Sequence, residues 1–126
     1  MISTLLQVAA GGAIGAAARY ATGVGVARVF GVTGFPLGVL AVNVVGSFLM
    51  GVLAVTLARK GMAHMNAFLM TGVLGGFTTF SAFSLEAVTL YERGAPGQAA
   101  AYVILSVTLS IAALFAGFWL AREVIL

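Results

Sequence analysis

A short polar segment interrupts the third long apolar stretch of this chain, at residues 75–83 with the sequence GGFTTFSAF. Glycine removes side-chain constraint from a helix, and threonine hydroxyls compete for the backbone partners that hold a helix together. The segment therefore predicts a broken helix. Carbonyl oxygens freed at mid-membrane depth must line a polar site, and they suit a small alkali cation. A continuous helix with a glycine notch for packing is the alternative.

Two phenylalanines of this segment could favour a small anion, and an asparagine of another apolar stretch needs hydrogen-bond partners. Phe80 and Phe83 are three residues apart, so they are neighbours on one helix face. Their ring edges carry partial positive charge, although packing is the ordinary role of such a pair. Asn43 lies in the middle of another apolar stretch, and its side-chain amide carries two N–H donors that need partners.

The last apolar stretch carries one polar ridge, formed by Tyr102, Ser106 and Ser110 at a spacing of four residues. Serines on membrane helices often bond only to their own helix, and that interpretation stays open here. Arg19 and Glu86 are charges inside apolar stretches, which are expensive in a membrane and usually mark a pathway or a partner. Either side chain could instead extend to an interface.

The composition places the chain in a membrane, because 62% of its 126 residues are hydrophobic and only 7% are charged. Soluble domains carry about 25% charged residues. There is no cysteine, so disulfides and thiolate metal sites are excluded. The six basic residues are scattered and form no concentrated basic surface, so we expect no nucleic-acid partner.

Four stretches are long enough to cross a bilayer, which takes roughly 20 apolar residues. They cover residues 3–26, 36–58, 63–90 and 98–120. Short glycine, proline and charged turns connect them, so we predict a single four-helix transmembrane domain over residues 1–126. The first stretch could be mistaken for a signal peptide, but no basic residue precedes it and three more stretches follow.

Basic residues give only a weak indication of how the chain is oriented. Arg59, Lys60 and Arg122 fall on one predicted side of the membrane, and Arg28 and Arg93 fall on the other. Such a small bias does not fix orientation by the positive-inside rule. Insertion in both orientations would allow an antiparallel dimer that reproduces the inverted repeat of larger transporters. The alternative is one orientation fixed by other features.

The chain resembles the CrcB/Fluc family of fluoride channels over essentially its whole length. The resemblance is carried by GGAIGAAARY in the first span, VNVVGSF in the second and GGFTTFSAFS in the third. The last segment is very similar to the family signature GGLTTFSTFS. It departs from that signature at Phe77, where leucine is usual, and at Ala82, where threonine is usual.

The resemblance implies an all-α membrane protein with a broken third helix, which forms an antiparallel dual-topology homodimer in the cell (inner) membrane. Two fluoride pathways would lie at the subunit interface, and their conduction would be passive and would support fluoride resistance. A structural sodium ion would lie at the dimer centre, held by the backbone carbonyls of Gly75 and Thr78. The pathway residues implied by position are Asn43, Phe80, Phe83, Thr79, Tyr102, Ser106, Ser110 and Glu86, with Arg19 near the vestibule.

Three other function classes fit the sequence less well. A small multidrug-type exporter needs an acidic residue deep in the first span, and this chain has no acidic residue before Glu86. A structural membrane subunit would explain the small residues that pack helices together, but it gives Asn43 no purpose. We expect no enzyme activity, because no nucleophile–base pair or metal-ligand spacing is present.

Overall fold

The structure is a computed structural model that describes residues 1–125. It is all-helical. Its long helices are α1 (Ile2–Phe30), α2 (Leu37–Arg59) and α5 (Pro96–Trp119), and α5 continues as a π-helical segment over Leu120–Ile125. The predicted spans are therefore confirmed as helices, with ends that differ from the predicted ends by a few residues.

The third span is divided into two halves at Thr78 and Thr79. Its first half (residues 63–77) contains a 3₁₀ turn (Ala63–Met65), a π-helical segment (Ala67–Leu74) and the short helix α3 (Gly75–Phe77); its second half is α4 (Phe80–Glu92). Thr78 has φ −87° and ψ 160°, and Thr79 has φ −154° and ψ 121°. Both residues are therefore extended, which confirms the predicted break. The two glycines before it are helical, so the helix opens after them and not at them.

Among residues 1–125, three helical segments are long and apolar enough to cross a membrane: Leu37–Arg59, Ala63–Glu92 and Pro96–Ile125. Helix α1 has 29 residues, but it is rich in glycine and alanine and includes Arg19, so it is less apolar than the other three. A spanning role for α1 therefore stays a prediction. The short connections turn at glycines, and Gly61 and Gly94 have φ of 66° and 84°, a conformation that glycine adopts without strain.

Helix α1 packs against the first half of the third span through glycines on both sides. Gly11 and Gly15 are buried on α1, and a Cβ atom at Gly15 would overlap the carbonyl oxygen of Val73. On the facing segment, a Cβ atom at Gly76 would lie only 2.6 Å from the Gly12 carbonyl oxygen. The glycines thus let two backbones touch, which is how helices associate in lipid. The third span therefore has both a glycine notch that packs against α1 and a break in its helix.

Helix α5 packs against both α2 and α4, and these contacts position the candidate site. Gly51 on α2 and Gly117 on α5 are buried at the α2–α5 contact, where an added Cβ atom on either would overlap the other helix. Between α4 and α5, Leu90, Ala99 and Tyr102 form a buried apolar cluster. The polar ridge of α5 is therefore held beside the break in the third span.

Candidate functional site

Asn43 on α2 bridges to the broken backbone of the third span. Its Nδ2 donates to the Thr79 carbonyl oxygen at 3.0 Å, and its Oδ1 accepts from the Thr79 N–H at 2.8 Å. The side chain thus pairs with both polar backbone groups of one extended residue. Because a primary amide has two N–H donors, one N–H of Asn43 is left after this pairing.

The break redirects backbone amides away from the carbonyls that a continuous helix would give them. In an α-helix the Thr79 N–H would donate to Gly75 O, and the Ala82 N–H would donate to Thr78 O. Instead, the Thr79 N–H donates to Asn43, and the Ala82 N–H donates to the Thr79 hydroxyl at 3.1 Å. The carbonyl oxygens of Gly75 and Thr78 are therefore released from the helical ladder.

Thr79 caps the second half of the span. Its hydroxyl accepts the Ala82 N–H as the N-cap of α4 and lies 3.3 Å from Ser81 Oγ. A threonine cap satisfies one of the amides that a helix N-terminus otherwise leaves unpaired. The N-terminus of α4 carries the positive end of its macrodipole, and it faces the middle of the span. A negative charge is favoured at that point.

Arg19 extends inward from α1 and meets the same break. Its Nε donates to the Gly76 carbonyl oxygen at 3.2 Å, and its side chain is half-buried. Gly76 belongs to the last turn before the break, where carbonyls lose their intrahelical donors. The arginine therefore serves as a cationic C-cap for the first half of the span.

Three aromatic rings lie in a row beside the break. The centroids of Phe80 and Phe83 are 5.4 Å apart with the planes at 63°, which is an edge-to-face contact. Phe83 in turn lies 5.4 Å from the Tyr102 ring, with the planes tilted by 38°. The Phe80 side chain is 78% exposed in the single chain, so this row runs from the molecular surface into the α4–α5 core.

A cavity of about 320 Å³ lies against the break, between α2, α4 and α5. It brings together six of the predicted pathway residues: Asn43, Thr79, Phe80, Phe83, Ser106 and Ser110. Its walls therefore combine an amide, hydroxyl groups and aromatic rings. We call this space the break cavity.

Two buried hydroxyl groups belong to this region and lack partners. Tyr102 is fully buried and Ser106 is 5% exposed. Among residues 1–125, neither Tyr102 Oη nor Ser106 Oγ has a hydrogen-bond partner of good geometry. A buried hydroxyl without a partner destabilises a protein by about 1–3 kcal/mol. These groups are available to a guest that accepts hydrogen bonds.

A second, wider cavity of about 460 Å³ lies on the other side of the break, between α1, α2 and α4. Arg19 and Glu86 both line it, whereas neither lines the break cavity. Thr79 lines both spaces. The predicted site residues that line a cavity therefore divide into two groups that meet at Thr79, whereas Tyr102 and Gly75 line neither cavity. We call this wider space the Arg19 cavity.

Comparison with known proteins identifies the family of this chain. The family described as "CrcB-like protein, Camphor Resistance (CrcB)" matches residues 6–118. The chain belongs to the CrcB family. Curated relatives named fluoride-specific ion channel FluC include one from Ruegeria sp. that is 65% identical over 125 residues, covering 99% of both chains. Another, from Cereibacter sphaeroides, is 68% identical over 122 residues and 97% of both chains.

A more distant FluC relative, from Agrobacterium fabrum, is 56% identical over 118 residues, or 92% of this chain and 94% of its own. The similarity to these relatives therefore covers nearly the full length of both chains and is not confined to a local motif. With several helices apolar enough to span a bilayer, this member of the CrcB family is a multi-pass membrane protein.

The structure of this CrcB family member also shows contacts that the sequence did not predict. The capping role of Thr79 and the inward bond of Arg19 depend on which segments meet in three dimensions. Ser47 lines the break cavity beside Asn43. The spacing of four residues places Ser47 on the same helix face as Asn43, and this was the feature of the sequence that could have indicated it. Phe35 packs edge-on against Tyr102, and no spacing rule connects a loop residue with a residue of the last helix.

Proposed function

We propose that the chain is a fluoride-selective passive channel that exports fluoride across the cell (inner) membrane. The break cavity carries this proposal, because it joins an asparagine amide, serine hydroxyls and aromatic ring edges at mid-span depth. The printed names of the curated relatives, fluoride-specific ion channel FluC, support the choice of ion. Fluoride is small and strongly hydrated, so a pore must replace its water with donors.

The N–H of Asn43 that does not bond Thr79 is the first donor that we assign to fluoride. It lies at the end of α4 where the helix dipole favours an anion, and half-helix N-termini serve anionic groups in the same way in transporters. The hydroxyls of Ser106 and Ser110 continue the donor set along one wall of the cavity, with Tyr102 behind them. Each donor offsets part of the dehydration of the ion.

Phe80 and Phe83 supply the apolar part of the same wall. Their edge-to-face contact leaves partially positive ring edges beside the donors. Because the packed rings are less mobile than water, they limit the width of the fluoride pathway. Selectivity against chloride, a larger ion, then follows from pore width together with donor strength.

The Arg19 cavity is the vestibule in this scheme. Arg19 places a positive charge where an anion would enter, and Thr79 connects this space with the break cavity. Glu86 lies on the same wider side, where we place it at the end of the pathway. The positive charge of Arg19 raises the local concentration of fluoride, which carries the opposite charge.

An antiparallel homodimer with two pores completes the pathway. Phe80 is 78% exposed and Gly75 is exposed, although both lie at mid-span depth. A backbone carbonyl released at that depth cannot face hydrocarbon without a penalty of several kcal/mol. A second copy in the opposite orientation covers this surface and closes the open side of each pathway, and the weak charge bias permits that orientation.

A structural sodium ion at the dimer centre fits the released carbonyls. Within residues 1–125 no group of His, Asp or Glu side chains could hold a metal ion, so the ligands are backbone oxygens. Gly75 O and Thr78 O are among the carbonyls that lose their helical donors at the break, whereas Gly76 O accepts from Arg19. A second copy doubles this pair to four. When bound, the ion supplies fixed positive charge that offsets the desolvation of nearby fluoride.

Fluoride release from loaded liposomes tests the channel. Purified protein is reconstituted, and efflux is followed with a fluoride electrode, with a chloride electrode as the control for selectivity. We expect fast fluoride efflux without a proton gradient, no chloride efflux, and loss of fluoride efflux in Asn43→Ala. Well-folded protein that releases no fluoride would return the chain to the structural-subunit interpretation.

Single cysteines test the dual topology, because the chain has no cysteine of its own. Ala63→Cys places one thiol in the exposed connection after α2. We expect half of these thiols to react with an impermeant maleimide added outside sealed vesicles, and the rest only after permeabilisation. Complete labelling from one side would contradict the antiparallel dimer.

Replacing sodium tests the structural ion. We expect fluoride flux to fall when potassium replaces sodium throughout purification and assay.

A further inference from the structure

The connection between α1 and α2 forms a compact structure that reaches the α5 ridge. The Thr33 hydroxyl donates to the Phe35 carbonyl oxygen at 2.9 Å and accepts the Phe35 N–H at 3.3 Å. This turn orients the half-buried Phe35 side chain inward. Its ring meets Tyr102 at a centroid distance of 5.6 Å and an interplanar angle of 85°. The contact is edge-to-face, a favoured arrangement for aromatic pairs.

A second contact holds the same connection from the other side. Arg93 is the C-cap of α4, and its Nη2 donates to the Gly34 carbonyl oxygen at 2.7 Å. Gly34 directly precedes Phe35 in the chain. The end of α4 therefore fixes the backbone that carries the Phe35 ring, so the connection is attached to α4 and α5 together.

Two aromatic rings pack against Tyr102 and hold the orientation of its ring. The residue is fully buried, yet its hydroxyl has no partner of good geometry among residues 1–125. Phe83 contacts the ring at 5.4 Å, and Phe35 contacts it edge-on. Phe35 is the only one of these two aromatic neighbours that comes from outside the helices of the break cavity.

We propose that Phe35 is a positioning residue for the Tyr102 hydroxyl, so that the connection between α1 and α2 sets fluoride conduction. The proposal rests on the proposed function. Removing the Phe35 ring opens space beside Tyr102, and the tyrosine ring then leaves its orientation and carries its hydroxyl with it. Arg93 acts through the same connection by holding Gly34.

Fluoride efflux from liposomes tests the proposal with four single variants and one double variant. Phe35→Ala should slow efflux by about three- to tenfold, a factor in the range of one aromatic pair contact, and Phe35→Tyr should restore it. Phe30→Ala is the matched control, because Phe30 lies near the same connection but is 64% exposed; it should conduct like the unmodified chain. In a Tyr102→Phe background, Phe35→Ala should add less than about a twofold further loss, because contacting residues are not additive.

A structural measurement keeps the test independent of conduction. Protein labelled with 3-fluorotyrosine contains three tyrosines, and the ¹⁹F resonance of Tyr102 is the one missing from Tyr102→Phe. We expect Phe35→Ala to shift or broaden this resonance and Phe30→Ala to leave it unchanged. Size-exclusion profiles confirm that each variant is folded.

The outcomes separate the two proposals. If the unmodified chain conducts but Phe35→Ala conducts equally fast, or if its loss is fully additive with Tyr102→Phe, the positioning role is wrong and the channel stands. If the unmodified chain passes no fluoride, the channel is wrong. An unchanged Tyr102 resonance in Phe35→Ala overturns the positioning role in either case.

Discussion

Asn43 pairs with both backbone polar groups of Thr79, a residue 36 positions further along the chain. This pairing gives the extended residue the two hydrogen bonds that a helix would have supplied. It also explains why an amide, with a donor and an acceptor on one planar group, stands at this position. Asn43 therefore supports the break as well as offering one N–H to an ion.

Substitution of Asn43 should consequently affect stability as well as conduction. In Asn43→Ala the N–H and the carbonyl of Thr79 both lose their partner, and we expect the free energy of unfolding to fall by about 1–3 kcal/mol. Thermal unfolding in detergent measures the change. Ser47→Ala, in the wall of the same cavity, is the control and should unfold near the unmodified midpoint. An Asn43→Ala protein as stable as the unmodified chain would show that the pairing does not hold the break.

The Thr79 hydroxyl should matter as a helix cap. Thr79→Val keeps the shape of the side chain but leaves the Ala82 N–H without its acceptor, so we expect a loss of about 1 kcal/mol in stability. Thr79→Ser keeps the hydroxyl acceptor and should retain most of the stability of the unmodified chain. Hydrogen exchange of the first amides of α4 is the measurement. Equal exchange in the valine and serine variants would exclude a capping role.

Two glycines of the same helix should respond differently to alanine. A Cβ atom at Gly15 would overlap the Val73 backbone, whereas a Cβ atom at Gly12 would meet nothing within 4 Å. We expect Gly15→Ala to separate α1 from the third span and to lower stability by about 1–3 kcal/mol, as overpacking does. Gly12→Ala should be neutral or slightly stabilising, because alanine favours a helix. Similar melting temperatures for the two variants would contradict the packing described here.

Much of the helical frame could be predicted from the sequence, because long apolar runs and turn residues determine it locally. The break was also predictable, since the polar residues at 75–83 are incompatible with hydrocarbon unless they line a site. The position of the break was harder to predict: the glycines suggested opening at Gly75 and Gly76, but both are helical, and Gly76 packs against α1. Thr78 and Thr79 open instead, because Asn43 and the Thr79 cap stabilise the extended backbone there.

The contacts of the candidate site were harder to predict for a physical reason. Spacing rules relate residues on one helix, so they found the Phe80–Phe83 pair and the ridge of Tyr102 on α5. They say nothing of pairs that meet only after folding, such as Arg19 with Gly76, which are 57 positions apart. The π-helical segment Ala67–Leu74 likewise has no local sequence signal, because it follows from packing against α1.

Arg19 provides the last test, because its bond to Gly76 O and its charge can be separated. Arg19→Leu removes both: the carbonyl loses its donor, and the Arg19 cavity loses its cation. We expect a stability loss of about 1–3 kcal/mol together with slower fluoride entry. Arg19→Lys keeps the charge but replaces the guanidinium by a single ammonium, which cannot reproduce the Nε geometry.

The two variants should therefore differ in a defined way. Unfolding in detergent should show both to be destabilised, whereas liposome efflux at low fluoride should be markedly slower for Arg19→Leu than for Arg19→Lys. Raising the ionic strength should narrow that difference, because salt screens the attraction between a cation and an entering anion. If leucine and lysine slow efflux equally at every ionic strength, Arg19 acts through the Gly76 carbonyl alone, and the vestibule role of its charge is wrong.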